Sequence, residues 1–396
     1  MAEINHKQKE TKISERPNNF LRLLYALLFL FAISIAIWRI FFYKSPREQL
    51  AAIETRLAIP SSENAAIIYN QLFENYTDSD LRPAFLTPAI EEITRSSIWR
   101  NQDYPEVAKW LEENNEIFIK LLQASEYDKC LFSITVSSSN DMDNKMARLS
   151  LVRQYAFWLI RSANNDFGEG RTDLAMKKYI SCIHMGRHFH QQPIAIEFLV
   201  GIGAESVGLQ KVRFFIMNKN TTEEQIKTLE TVLPDTEFHF DKYWNEMLQV
   251  ENLYSKILPQ TTLELSNFVS QLKEMFANLG KPDPALVRVK ELYLRLLTDR
   301  YGTQILAALR HYKNENGKWP EKLEEIKPYL SSKDILIDPQ NKGSFIYKLK
   351  NDSIMLYSTG LNGIDENGQI KAPADDWQIW PLQTSQVQTA TSDPNQ

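Results

Sequence analysis

Cysteine is nearly missing from this chain, with only Cys130 and Cys182 in 396 residues. Two thiols cannot build a disulfide scaffold, and without a C-x-x-C pair there is no thiolate zinc motif or dithiol redox motif. The two read as separately buried thiols, or as one disulfide if the domain is exported. An excess of positive charge is missing as well: 45 Lys and Arg against 50 Asp and Glu give a formal net charge of −5. Duplex binding rests on many cationic contacts to phosphate, so nucleic acid is excluded as a partner. There is no P-loop, kinase signature set, serine-triad signature or H-E-x-x-H pair, and "GAESVG" (203–208) is neither a nucleophile elbow nor a dinucleotide fingerprint. The lack of these motifs weighs against an enzyme.

What is present begins with a long apolar run. Phe20 to Tyr43 carries only Arg22 and Arg39 as charges, with sixteen uncharged residues between them. As a helix this segment is roughly 36 Å long, enough to cross a hydrocarbon core of about 30 Å with both arginines snorkelling outward. Trp38, Phe41, Phe42 and Tyr43 suit an interfacial aromatic belt. One transmembrane anchor is the expectation. A cleaved signal peptide is the competing reading, but the small-x-small pairs Ala32/Ser34 and Ser34/Ala36 lie inside the apolar run and not after it. Lys7, Lys9, Lys12, Arg16 and Arg22 precede the anchor core, and Arg39, Lys44, Arg47 and Arg56 follow it. That slight bias, with the shortness of the tail, places residues 1–19 in the cytoplasm and the bulk outside, in the periplasm or cell envelope.

From 44 to about 300 the pattern is helical, which predicts a mainly α exported domain. Met146, Leu149, Val152, Ala156, Leu159, Ile160 and Ala163 form a stripe at helix spacing. Further helices are expected near 173–191, 194–217, 223–232, 237–257, 262–278 and 285–315. The segment 149–189 reads as a helical hairpin turned by "DFGEGRTD", with Thr172 or Asp173 as N-cap, and loosely resembles a tetratricopeptide hairpin without a continuing repeat. "CLFSITV" (130–136) is strand-like.

Two constellations in this domain invite chemistry. His184 and His188 lie four residues apart on one predicted helix face, as a two-histidine metal site requires, while His190 points elsewhere. Glu197 and Glu205 fall on one stripe of an apolar helix, where a carboxylate is costly unless paired. These four would carry the alternative reading of a metal-assisted hydrolase, but pairing of the glutamates with Arg153, Arg161 or Arg187 and partial exposure of the histidines explain them without chemistry. Glycines 201 and 208 read as points of close helix packing.

After Asn316 the character changes. "SFIYKLK" and "SIMLYST" alternate with period two around the tight turn "NDS". "YSTGLNGIDENGQ" (357–369) then packs three glycines, two asparagines and two acids into one loop. Asn362, Asp365, Asn367 and later Asp375 and Asp376 offer oxygens of the kind a hard cation takes. An EF-hand is excluded by register, because its first and twelfth positions would be Gly363 and Ala374.

The string "ALRHYKNENGKWPEKLEEI…DPQNKGSFIYKL…IMLYSTGLNGIDENGQ…DDWQIWP" resembles the exported module of the major pseudopilin of type II secretion systems. The resemblance spans about 301–381. It implies a helix packed on a short β-meander, and one calcium ion held by the loop and Asp375-Asp376. Asn362 stands where that family has an aspartate. The family's Gly-Phe cleavage site, and the glutamate that follows it, are missing from "NNFLRLLYALL", so a filament subunit is not expected. The expectation is a single-pass, membrane-anchored envelope protein with unidentified envelope partners, a non-enzymatic interaction or structural role and a calcium-stiffened C-terminal module, followed by a disordered tail at 382–396. A role as accessory to a type II secretion or pilus-like assembly is the alternative.

Overall fold

The structure, a computed structural model, describes residues 44–136, 139–234, 240–257, 284–370 and 374–382, with a few more between 24 and 34. These residues are mainly helical, with a three-stranded antiparallel sheet. The expected tail at 1–19, most of the anchor at 20–43, the helix at 262–278 and all but Leu382 of the C-terminal tail lie outside the described residues. Among the described residues no helix is long and apolar enough to cross a membrane.

Helix α1 (Pro46–Leu57) opens on a capping box, in which Ser45 Oγ accepts from the Glu48 amide and the Glu48 carboxylate accepts from the Ser45 amide. Short helices follow: α2 (Ala66–Asn75), α3 (Asp78–Leu81), α4 (Pro88–Ser96), α5 (Pro105–Glu113) and α6 (Asn115–Ser125). Prolines at the first positions of α4 and α5 set φ and forgo an amide with no helical partner. The long elements are α7 (Ser139–Gly168), α8 (Thr172–His190) and α9 (Ala195–Met217). After them come α10 (Glu223–Val232), α11 (Phe240–Ile257) and α12 (Pro284–Asn316).

Helices α8 and α9 cross at glycines. A Cβ on Gly201 would lie 2.3 Å from the His190 backbone nitrogen, and one on Gly186 2.4 Å from that of Glu205. The hairpin of α7 and α8 forms as expected, with one difference at its turn. The N-cap is Arg171, without a side-chain cap bond. Thr172 and Asp173 instead accept hydrogen bonds from Gln225 Nε2 on α10, so a tertiary contact takes the side chains that capping would have used.

The strand-like stretch 130–136 is extended but pairs with no strand; a single bridge, Asn64 with Lys129, lies beside it. Side chains satisfy its amides. Leu131 N donates to Asn64 Oδ1, Phe132 N to Gln192 Oε1 and Thr135 N to Glu54 Oε2. Its alternating Phe132, Ile134 and Val136 are buried, which explains the period-two pattern without a sheet.

At the C-terminal end α12 runs unbroken across position 300 to Asn316. β1 (Ile346–Lys350) and β2 (Ser353–Ser358) join through Asn351-Asp352, both at positive φ, as the primed turns of two-residue hairpins require. β3 (Trp377–Trp380) pairs antiparallel with β2. Gly302 of α12 seats Ile379 of β3 directly on the helix backbone. Leu356 and Ile379 belong to the same buried cluster as Trp158 and Tyr155, so helices and sheet share a core.

Candidate functional site

The C-terminal loop is built by β2 and β3. Strand β2 ends at Ser358, and β3 begins just after the acid pair, so the antiparallel pairing carries Asp375 and Asp376 back onto the residues that leave β2. Asp375 Oδ2 accepts from the amides of Leu361 and Asn362 at 3.0 and 3.3 Å. Asp376 Oδ2 accepts from Gly368 and Glu366 at 2.7 and 3.0 Å. The approach is close enough that a Cβ on Gly360, which sits at φ +62°, would lie 2.4 Å from Asp375 Oδ1.

In both carboxylates the second oxygen is different. Asp375 Oδ1 and Asp376 Oδ1 are buried and make no hydrogen bond, although Asp376 is only 1% exposed. Burial pushes the Asp376 carboxyl up; the amides of Gly368 and Glu366 work against that, and the charges of Glu366 and Asp365 add to it. A cation between these groups would relieve an electrostatic cost that the protein groups leave in place.

The remaining expected ligands are engaged elsewhere. Asp365 Oδ1 accepts from the Tyr357 hydroxyl at 2.6 Å, and its Oδ2 faces Lys348 Nζ at 3.4 Å. Lys348 also donates to Asn367 Oδ1, and Asn362 Oδ1 accepts from the Ile364 amide. Glu366, not singled out in the sequence, ties the two halves together: its oxygens accept from Asn362 Nδ2 and from the Asp375 amide. Asn341 supports the loop from the "DPQNKG" turn, donating to Asp338, Thr359 Oγ1 and the Gly360 carbonyl.

The helical constellation is not brought together around one space. His184 Nδ1 lies 2.7 Å from the Ser125 carbonyl oxygen. His188 is bonded at both nitrogens, Nδ1 to the Tyr69 hydroxyl at 2.9 Å and Nε2 to the Tyr127 carbonyl at 2.7 Å, which leaves its ring no lone pair for a metal. Burial pushes His188 down to about 4. The expected partial exposure of the histidines holds for His184 and is corrected for the other two: His188 and His190 are both 2% exposed, because α2, α6 and α9 close over α8.

Glu205 lies fully buried in a cationic cage. Arg300 of α12 meets it with Nε and Nη2, both at 2.7 Å; Arg187 Nε lies at 3.3 Å, and His190 Nε2 at 3.2 Å. Burial opposes its charge, but Arg300, His190 and Arg187 outweigh that and hold the carboxyl well below the usual range. Of the three arginines expected as partners Arg187 serves Glu205, while Arg161 turns to Thr94 Oγ1 and Glu91 on α4. Glu197 sits apart, its carboxyl raised by burial against the nearby charges of Lys145 and Arg148, with Oε2 unbonded. Beside it Glu251 of α11 accepts from the Ala195 amide and is pushed up to about 7 by burial, with Glu197 adding to the shift.

No family model, curated protein or solved structure matches the chain.

The partners missing from the sequence reading are Arg300, Glu366 and Glu251. Arg300 lies 95 residues from Glu205, and no local pattern connects the two. Glu366 was open to detection, as the second acid of the "DEN" triplet in a loop already read for its oxygens.

Proposed function

We propose that this chain is a single-pass, membrane-anchored envelope protein with a structural or interaction role, whose C-terminal module at 301–381 is stabilised by calcium. The observation that carries the proposal is the pair of buried Oδ1 atoms of Asp375 and Asp376, both without a hydrogen bond, where the chain closes on itself. Hard cations take carboxylate and carbonyl oxygens, and this loop supplies both beside a third acid, Glu366. Asp375 and Asp376 would hold the ion, with Glu366 and Asn362 able to turn toward it. Asp365 and Asn367 would first have to leave Lys348. The ion would add charge compensation and crosslink the exit of β2 to the entry of β3.

Support for the anchor comes from the few described residues near the N-terminus. Leu24, Tyr25, Leu27, Leu28, Phe29, Leu30, Phe31 and Ile33 are helical and between 37% and 67% exposed. They lie within the apolar run 20–43, on whose length and composition the anchor reading rests. We read the hairpin of α7 and α8 as tetratricopeptide-like and the terminal module as pseudopilin-like. The second reading draws on the order of a long helix, a DP turn, a β-hairpin and an acid pair against a glycine-rich loop.

Calcium titration of the detergent-solubilised full chain by calorimetry tests the central point. One ion per chain is expected, with binding lost in Asp376→Asn. Absence of heat at millimolar calcium would remove the calcium reading.

A further inference from the structure

A second cluster, on the far side of α12 from the sheet, has the composition of a transition-metal site. Glu223 stands in the first turn of α10, and His311 and Glu315 lie one helical turn apart on α12. One ligand atom from each lies within 4.8 Å of the other two. His311 is 8% exposed, and its Nε2 is buried without a hydrogen bond.

The other ring nitrogen explains why Nε2 matters. His311 Nδ1 lies 2.9 and 3.0 Å from the two oxygens of Glu230, and a carboxylate only accepts, so Nδ1 donates. In the neutral ring this leaves a lone pair on Nε2. That lone pair faces Glu315 Oε1, itself an acceptor, at 3.3 Å. A second ring proton would make this contact an ion pair, and in the neutral ring a metal cation would take the same place between the two atoms. With metal–ligand bonds of about 2.0–2.1 Å, the edge of a tetrahedral zinc site is roughly 3.3 Å, the separation of His311 Nε2 and Glu315 Oε1; the Glu223 oxygen lies within 4.8 Å of both.

The surrounding groups orient the same residues. Glu230 fixes the tautomer of His311, as a carboxylate does behind a metal-bound histidine. The Tyr329 hydroxyl donates to Glu315 Oε2 at 2.6 Å, leaving Oε1 for the cluster, and the Tyr329 ring packs on the imidazole at 4.6 Å. Lys227 Nζ contacts Glu223 Oε1 and is the one described cation that competes for this carboxylate.

We propose that Glu223, His311 and Glu315 form a binding site for a divalent transition metal of the zinc class, completed by water, that staples α10 to α12. An imidazole and two carboxylates suit zinc in preference to calcium, so this site is distinct in chemistry from the acid pair near β3. Its occupancy neither requires nor follows from the calcium reading.

The test uses the full chain, stripped with chelator and then dialysed into millimolar calcium so that hard-cation sites are filled. Zinc chloride titrated by calorimetry is expected to bind one equivalent, and cobalt(II) to give the visible absorption of a tetrahedral centre. His311→Gln is expected to abolish both signals, and Glu230→Gln to weaken zinc by about 10–100-fold through loss of ring orientation. Lys227→Ala is expected to tighten it, a change that a purely structural lysine would not produce. Asp376→Asn is expected to leave zinc binding as it was. Should His311→Gln fail to fold, the half-exposed Glu315→Gln, checked for native circular dichroism, must lose the cobalt spectrum instead. Absence of zinc binding at about 100 μM, or binding unaltered in His311→Gln or in folded Glu315→Gln, overturns the proposal.

Discussion

Glu205 shows most clearly how single residues hold this fold. Its carboxylate is shared among Arg300, Arg187 and His190 from two helices, so Glu205→Gln leaves buried cations without their counter-charge. Breaking a buried pair in this way costs about 3–5 kcal/mol, to be read as a lower denaturation midpoint in urea. Because the folded carboxyl is held below its unfolded value, the stabilisation is complete above the unfolded pKa and is lost as pH falls toward the folded one. Glu251 has the opposite sign. Burial raises it to about 7, so between roughly pH 4.5 and 7 the folded chain keeps a proton that the unfolded chain has released, and stability falls as pH rises through that window. Glu251→Gln removes this residue's share of the dependence. Relative to wild type it should gain roughly 3 kcal/mol at pH 8 and almost nothing at pH 4, measured as unfolding free energies at both values. Arg187 was legible as a partner of Glu205, one helix away in the chain; Arg300 and the contact of Glu251 with the Ala195 amide were not, since each joins helices far apart in the chain.

Among the elements, the crossing of α8 and α9 offers a comparison within one helix. At Gly201 a methyl group would meet backbone, the His190 nitrogen at 2.3 Å and the Gly186 oxygen at 2.7 Å, and backbone cannot rotate away. Gly203, two residues on, has nothing within 4 Å. Gly201→Ala is therefore expected to lose about 1–3 kcal/mol by forcing the helices apart, and Gly203→Ala to gain up to about 1 kcal/mol from helix propensity, both measured by thermal unfolding. The close packing at 201 and 208 was readable, because small residues on a buried stripe have few other uses. Limits of α9 and α10 were readable too: a proline precedes one, and a Thr-Gln capping box starts the other. What misled was 130–136, whose alternation reflects burial on one side of an extended segment held by Asn64, Gln192 and Glu54. Thr172 and Asp173 misled similarly, since Gln225 claims the oxygens that an isolated helix would turn inward.

At the scale of the whole molecule, a helical body and a small sheet share one core. The mainly helical class was legible from periodicity, and the β-hairpin from the alternation on either side of Asn351-Asp352. The acid pair's return onto the loop was implied by resemblance alone; its hydrogen bonds to Leu361, Asn362, Glu366 and Gly368 come from strand pairing that no local signal encodes. If the anchor reading holds, the full chain should stay with the membrane fraction through an alkaline wash, and a chain lacking residues 1–43 should be released by it. The most direct measurement of the central claim is the thermal unfolding of the detergent-solubilised full chain in millimolar calcium and in chelator. An ion that binds only the folded state stabilises it by RT ln(1 + [L]/Kd), about 2.7 kcal/mol at a hundredfold excess over Kd. The account predicts a higher midpoint in calcium for wild type and no shift for Asp376→Asn; equal midpoints for wild type in calcium and in chelator would contradict it.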